Sequence, residues 1–147
     1  MANEVRIHFQ LEQDEDDYPP VAVETLWAQP GEIEGEYVID NIPFFVRDAT
    51  LEDTIAIREE DGLRWFDRVI RSSGNSLIRV ICYDRGYVPT VRDHLAALGC
   101  STEYAGTHNL IAVNIPEGVN LDSVLEFLDQ ESKAERIGYE GPLLRHA

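Results

Sequence analysis

Two alternating runs flank Glu60-Asp61-Gly62, and that pairing constrains the fold more than any other feature of the chain. Before it, Leu51, Asp53, Ile55 and Ile57 share one face of an extended segment, with Asp53 the exception. After it, Leu63 to Ile70 alternates again. A period of two marks a strand with one buried face, and an acidic residue followed by Gly supports a tight hairpin between two of them. The pattern recurs upstream. Val5 to Leu11 alternates apolar and polar residues. Val21 to Ala28 alternates weakly, but its β-branched residues and Trp27 favour a strand that Pro30-Gly31 ends. Tyr37-Val38-Ile39 is a short strand, followed by the apolar corner Asn41-Ile42-Pro43-Phe44-Phe45. Short strands at this spacing predict a small twisted sheet or partly closed β-barrel.

The second half reads differently. Leu77 to Cys82 has the composition of a buried strand. Pro89-Thr90 opens a helix carrying Val91, Leu95 and Leu98, with Gly99 as its stop. Thr102 to Tyr104 and Leu110 to Ile115 are strands. Asn120 or Asp122 caps a second helix, whose stripe is Leu121, Val124, Leu125 and Leu128. A last strand is expected within Glu135 to Tyr139. This element order predicts a ferredoxin-like βαββαβ half, and so an α+β protein. The expected division is a β-rich acidic subdomain over 1–71 and a ferredoxin-like α+β subdomain over 72–147, packed as one compact unit.

Charge speaks to partners. The chain holds 28 Asp+Glu against 12 Lys+Arg, a net charge of -16. Up to Arg71 there are 18 acids and 6 bases, a net of -12; the remainder carries 10 acids and 6 bases, a net of -4. Such a field repels nucleic acid and anionic membranes and attracts basic proteins. No run reaches the roughly 18 apolar residues of a membrane helix. Met1-Ala2-Asn3-Glu4 has no basic region and no apolar stretch of signal length, so no export signal is expected. Cys82 and Cys100 sit in apolar contexts and read as buried thiols of a reducing cytoplasm, without a redox or metal role.

Three blocks, Leu11-Glu12-Gln13-Asp14-Glu15-Asp16-Asp17-Tyr18-Pro19-Pro20, Asn41-Ile42-Pro43-Phe44-Phe45 and Ser72-Ser73-Gly74-Asn75-Ser76 with Arg79, carry a family resemblance. The chain resembles a family of small acidic bacterial proteins catalogued as a domain of unknown function. The resemblance covers most of the chain and implies a bacterial, soluble single module with no established activity. The family often places His where this chain has Asn75, which implies that catalysis by such a His is absent here. In size and charge the chain is also similar to immunity proteins that neutralise toxins.

The acid run Glu12 to Asp17 is the first candidate site. A calcium loop counted from Asp14 needs Gly at its sixth position and Glu at its twelfth, and finds Pro19 and Thr25. A solvated loop and a docking patch fit the run equally well. Glu32, Glu34 and Glu36 fall at every second residue, so an extended chain puts them on one face. Glu59, Glu60 and Asp61 mark the hairpin tip. If the barrel brings these loops together, one negative surface results. Of the aromatics Tyr18, Trp27, Tyr37, Phe44, Phe45, Trp65 and Phe66, most are expected in the core, and Tyr18 and Tyr37, each beside acids, are the candidate anchors. Ser72 to Ser76 lacks the order of a nucleophile elbow and the lysine of a phosphate loop, and reads as a structural turn. His8, His94, His108 and His146 show no ligand spacing.

The expected function is therefore binding without chemistry. The partner-binding candidates are Asp14, Glu15, Asp16, Asp17, Tyr18, Glu32, Glu34, Glu36, Tyr37, Glu59, Glu60 and Asp61. No catalytic residue, metal or cofactor is expected. The expected partner is a basic protein, a cognate toxin domain acting on nucleic acids or nucleotides, and the expected location is the cytoplasm. The alternative is a small-molecule-binding regulatory module.

Overall fold

A computed structural model describes residues 4–146. The chain divides into two compact units, one ending at Ser73 and the other starting at Gly74. In the first unit, β1 (Val5–Gln10), β2 (Val23–Pro30), β3 (Glu36–Ile39), β4 (Thr54–Glu60) and β5 (Leu63–Arg71) close a barrel in sequence order. Consecutive strands pair antiparallel, and β1 meets β5 in parallel through His8 and Trp65. Alternation places Ile7 and Phe9 of β1 and Leu26 and Ala28 of β2 in the core with Ile39 and Ile55. The barrel is closed where a twisted sheet or partial barrel was expected. Register shifts between Thr54 and Ile55 and between Ala56 and Ile57 mark irregular pairing of β4 with β5. Bulges of this kind add the twist and bend that closure requires. Asp61 and Gly62, at φ 53° and 78°, join these strands, the double positive φ of a type I′ hairpin.

The second unit contains β6 (Ser76–Cys82), α1 (Val88–Ala97), β7 (Ser101–Ala105), β8 (Leu110–Ile115), α2 (Leu121–Lys133) and β9 (Ile137–Leu143). Its sheet runs β7-β8-β6-β9, with every pair antiparallel. Ile78, Val80, Ile111 and Val113 form one core with Val91 and Leu95 of α1 and Val124 and Leu128 of α2. Pro89 lies in the first turn of α1, where its missing N–H costs nothing. Gly99, at φ 100°, ends that helix, and its N–H returns to Ala96 O at 3.0 Å. Asn120 caps α2 by accepting from Ser123 N–H at 3.1 Å.

The α+β expectation and its ferredoxin-like half do not stand. Strands hold 41% of the described residues and helices 20%, so the protein is mostly β, built on two sheets of mainly antiparallel strands. The element order that carried the α+β reading contains α-helices of only 10 and 13 residues. Nine strands among the described residues outweigh them.

Both cysteines are buried and free. Burial pushes the Cys100 thiol up to about 11. It also raises the Cys82 thiol, with Glu131 and Asp84 adding to the effect. Thiolate is the reactive form. Native protein at pH 7.5 is expected to leave an aromatic disulfide reagent unreacted over minutes, and to release two equivalents of thiol only in denaturant.

The Tyr139 hydroxyl donates to Asp129 at 2.5 Å. That bond, then burial and the Asp129 charge, push the phenol up to about 12 from its ordinary 10. A raised pKa stabilises the folded state fully below pH 10, and this stabilisation disappears as the pH climbs through 12. The denaturant-midpoint advantage of the wild type over Tyr139→Phe should stay constant from about pH 7 to 9 and shrink between 10 and 12.

Candidate functional site

Reversal of direction at each hairpin sends the barrel connections alternately to its two ends. Segments 11–22 and 40–53 therefore lie at one end, and 31–35 and 61–62 at the other. This separates the acid clusters that one negative surface would have joined. The run Glu12 to Asp17 occupies the first end; Glu32, Glu34, Glu59, Glu60 and Asp61 occupy the second.

The run is a built projection. Asp14 accepts from the N–H groups of Asp16 at 2.9 Å and Tyr18 at 3.0 Å. Its own N–H donates to Tyr18 O at 2.8 Å, and Asp17 N–H donates to Asp14 O at 3.1 Å. Asp17 takes φ 56°, the left-handed region that Asp tolerates. Asp14 is thus spent on holding the loop. Glu12, Glu15, Asp16 and Asp17 are exposed and form no ion pair among the described residues. Tyr18 is 45% exposed and meets Phe45 edge-on, with ring centroids 6.4 Å apart.

Beside the projection lies a cavity of about 310 Å³. Phe9 and Phe66, stacked at 4.6 Å, line it with Phe45, and Glu12, Arg47 and Asp48 add charge. Its wall is pinned from a distance. The Glu24 carboxylate accepts from Phe44 N–H at 2.7 Å and from Phe45 and Val46 N–H at 2.8 Å each. Three successive N–H groups converging on one carboxylate form an anion nest filled by the protein itself. Asp53, fully buried, braces the same connection through Thr50 N–H at 3.0 Å and Ser73 N–H at 2.9 Å. That is why an acid interrupts the apolar alternation at this position.

At the second end, only Glu36 of the every-second-residue trio stands in a strand, and Gly35 turns at φ 87°. Glu36 pairs with Arg71 at 2.9 Å with its side chain 15% exposed, so it leaves the candidate surface. Glu32 and Glu34 remain exposed. Glu60 reaches Arg58 at 3.9 Å, while Glu59 and Asp61 form no ion pair among the described residues. Tyr37 is half-buried against the barrel core and presents no free ring for anchoring.

Of the aromatics of the first unit, both tryptophans lie outside the core. Trp27 is 43% exposed with Arg6 over its ring at 5.0 Å. Trp65 meets His8 at 5.4 Å and Arg58 at 5.8 Å. Their parity carried the signal: Trp27 stands between Leu26 and Ala28, both core residues. Sequence reading also missed a serine–histidine contact. Ser76 accepts from Arg145 N–H at 2.8 Å, and its hydroxyl lies 2.6 Å from His146 Nδ1. His146 Nε2 lies 2.8 Å from Pro116 O. Ser76 is fully buried, and the contact ties residues 145–146 to the head of β6.

Among the described residues, no group of three or more His, Cys, Asp or Glu is placed to hold a metal. Among the described residues, no helix is long and apolar enough to cross a membrane.

Residues 24–139 match the model of the family described as Domain of unknown function (DUF4265). No curated protein matches the chain. A crystal structure of a hypothetical protein from Neisseria gonorrhoeae is similar with a TM-score of 0.80 at 22% identity, over 100% of this chain and 98% of that one. At that identity the likeness shows the fold alone.

Proposed function

The chain belongs to the DUF4265 family, a domain of unknown function, and from the site itself we propose that it is a non-enzymatic binding protein for a basic partner. The observation that supports this most is the acid projection. Clustered like charges destabilise a compact state through self-repulsion. Here the loop is nonetheless folded, with Asp14 bonded to its own backbone and its neighbours left unpaired beside exposed Tyr18. A rigid set of carboxylates next to an aromatic ring lowers the ordering cost of docking and offers an anchor.

The partner we propose is a toxin domain of the bacterial cytoplasm that acts on nucleic acids or nucleotides. Such domains carry basic clefts for phosphates, and carboxylates can occupy those positions. The protein would then be an immunity-type inhibitor that covers the toxin's active site. The projection would both steer the partner and make the contact, and the carboxylates at the second end of the barrel would add more weakly to the long-range field.

A photoreactive residue at Glu15 tests this in the native cell, with one at Asp129 as control. Capture of one basic protein from position 15 and not from 129 is the expected result. An acidic protein, or equal capture from both positions, would count against the reading.

A further inference from the structure

Arg85 and Arg92 converge on one cavity of about 500 Å³ in the second unit. Among the described residues neither forms an ion pair, in a chain with more than twice as many acids as bases. Both guanidiniums are held by neutral groups. Arg85 Nη1 donates to Gly106 O at 2.9 Å. Arg92 Nε donates to Thr102 Oγ1 at 2.9 Å and its Nη2 to Thr102 O at 3.3 Å. This leaves the Nε–Nη2 edge of Arg85 and the Nη1 group of Arg92 for another acceptor. Two arginines held by neutral groups and engaged in no ion pair are preorganised for an anion.

The remaining lining sets the kind of anion. Asp93 stands at the same cavity, so the local formal charge is that of one cation. One negative charge neutralises it, and a phosphate dianion would meet Asp93 uncompensated. Pro89 and Ala96 of α1 and Tyr104 of β7 supply an apolar wall. The volume falls within the roughly 300–1,000 Å³ of small-molecule sites.

We propose that this cavity binds a small monocarboxylate with a short apolar body. The carboxylate takes the free edge of Arg85 in a bidentate pair and shares an oxygen with Arg92 Nη1. The body lies along Pro89, Ala96 and Tyr104. This site is separate from the acid projection, and its ligand has the opposite charge.

Nuclear magnetic resonance titration of the full chain tests it, with benzoate and hexanoate as probes and benzamide and inorganic phosphate as comparisons. Benzoate and hexanoate are expected to shift the Arg92, Thr102 and Tyr104 amides at millimolar concentration, and benzamide to leave them in place. Arg85→Met should weaken benzoate binding by about tenfold or more at an unchanged melting temperature, since a charge-assisted fork is lost. If that variant melts early, Arg85→Lys, which keeps the charge and loses the fork, should still bind more weakly than wild type. Equal shifts with benzamide would overturn the proposal, as would tighter binding of phosphate or no shift up to about 50 mM benzoate, far beyond the millimolar range of a weak specific site.

Discussion

Replacing Glu24 with Ala is expected to destabilise the barrel by about 3 kcal/mol, read as a lower denaturant midpoint. One carboxylate accepts from three successive N–H groups, those of Phe44, Phe45 and Val46. Each hydrogen bond to a charged group contributes about 1.5–3 kcal/mol, and these three share one acceptor, so they do not add in full. Phe45 and Val46 are buried, which limits the water that can replace the lost oxygen atoms. Glu24→Gln keeps one oxygen acceptor but turns an amide NH₂ toward an N–H, so a loss of about 1–2 kcal/mol is expected. A loss below about 0.5 kcal/mol for Glu24→Ala would show that the nest is hydrated and contributes little. Because Phe45 and Val46 line the cavity beside the acid projection, the same variant should also disturb Tyr18, which rests on Phe45.

That contact shows where sequence reading stops. Glu24 and Phe44 are separated by 20 positions, and nothing in either local pattern announces the bond. Features written in neighbouring residues were legible: the Asp61-Gly62 turn, the stop at Gly99, the cap at Asn120. Closure of β1 on β5 rests on the pairing of His8 with Trp65, two residues far apart in sequence. The two helical stripes were legible too, yet the element order was read as α+β, which nine strands among the described residues overturn. The acid clusters were found as residues but misplaced as a surface. Their separation follows from strand direction, which acts once the order of pairing is known. Within the run itself, composition did not distinguish Asp14, which braces the loop, from its free neighbours. Arg85 and Arg92 are seven apart and line one cavity, but the groups that hold them, Gly106 and Thr102, come from beyond Gly99.

The larger functional effect is expected from charge. Glu12→Gln, Glu15→Gln and Asp16→Asn together remove three negative charges from the projection and leave Asp14 in place to hold the loop. Charge steering raises association rates by factors of about 10–1,000, most strongly at low salt. The triple variant is expected to associate with the captured partner about tenfold more slowly at low salt, with a smaller change in dissociation rate. Its melting temperature should be unchanged or slightly raised, since like charges are removed. Equal numbers of neutralised acids at Glu32, Glu34 and Glu59 should slow association less, because those residues lie at the other end of the barrel.

The most direct test of the docking account is the association rate of wild type and triple variant with that partner as ionic strength rises from about 20 to 500 mM, where the screening length falls from about 20 Å to about 4 Å. The account predicts a steep fall for the wild type, a shallow one for the variant, and convergence of the two at high salt. Parallel slopes, or a wild-type rate independent of salt, would contradict it.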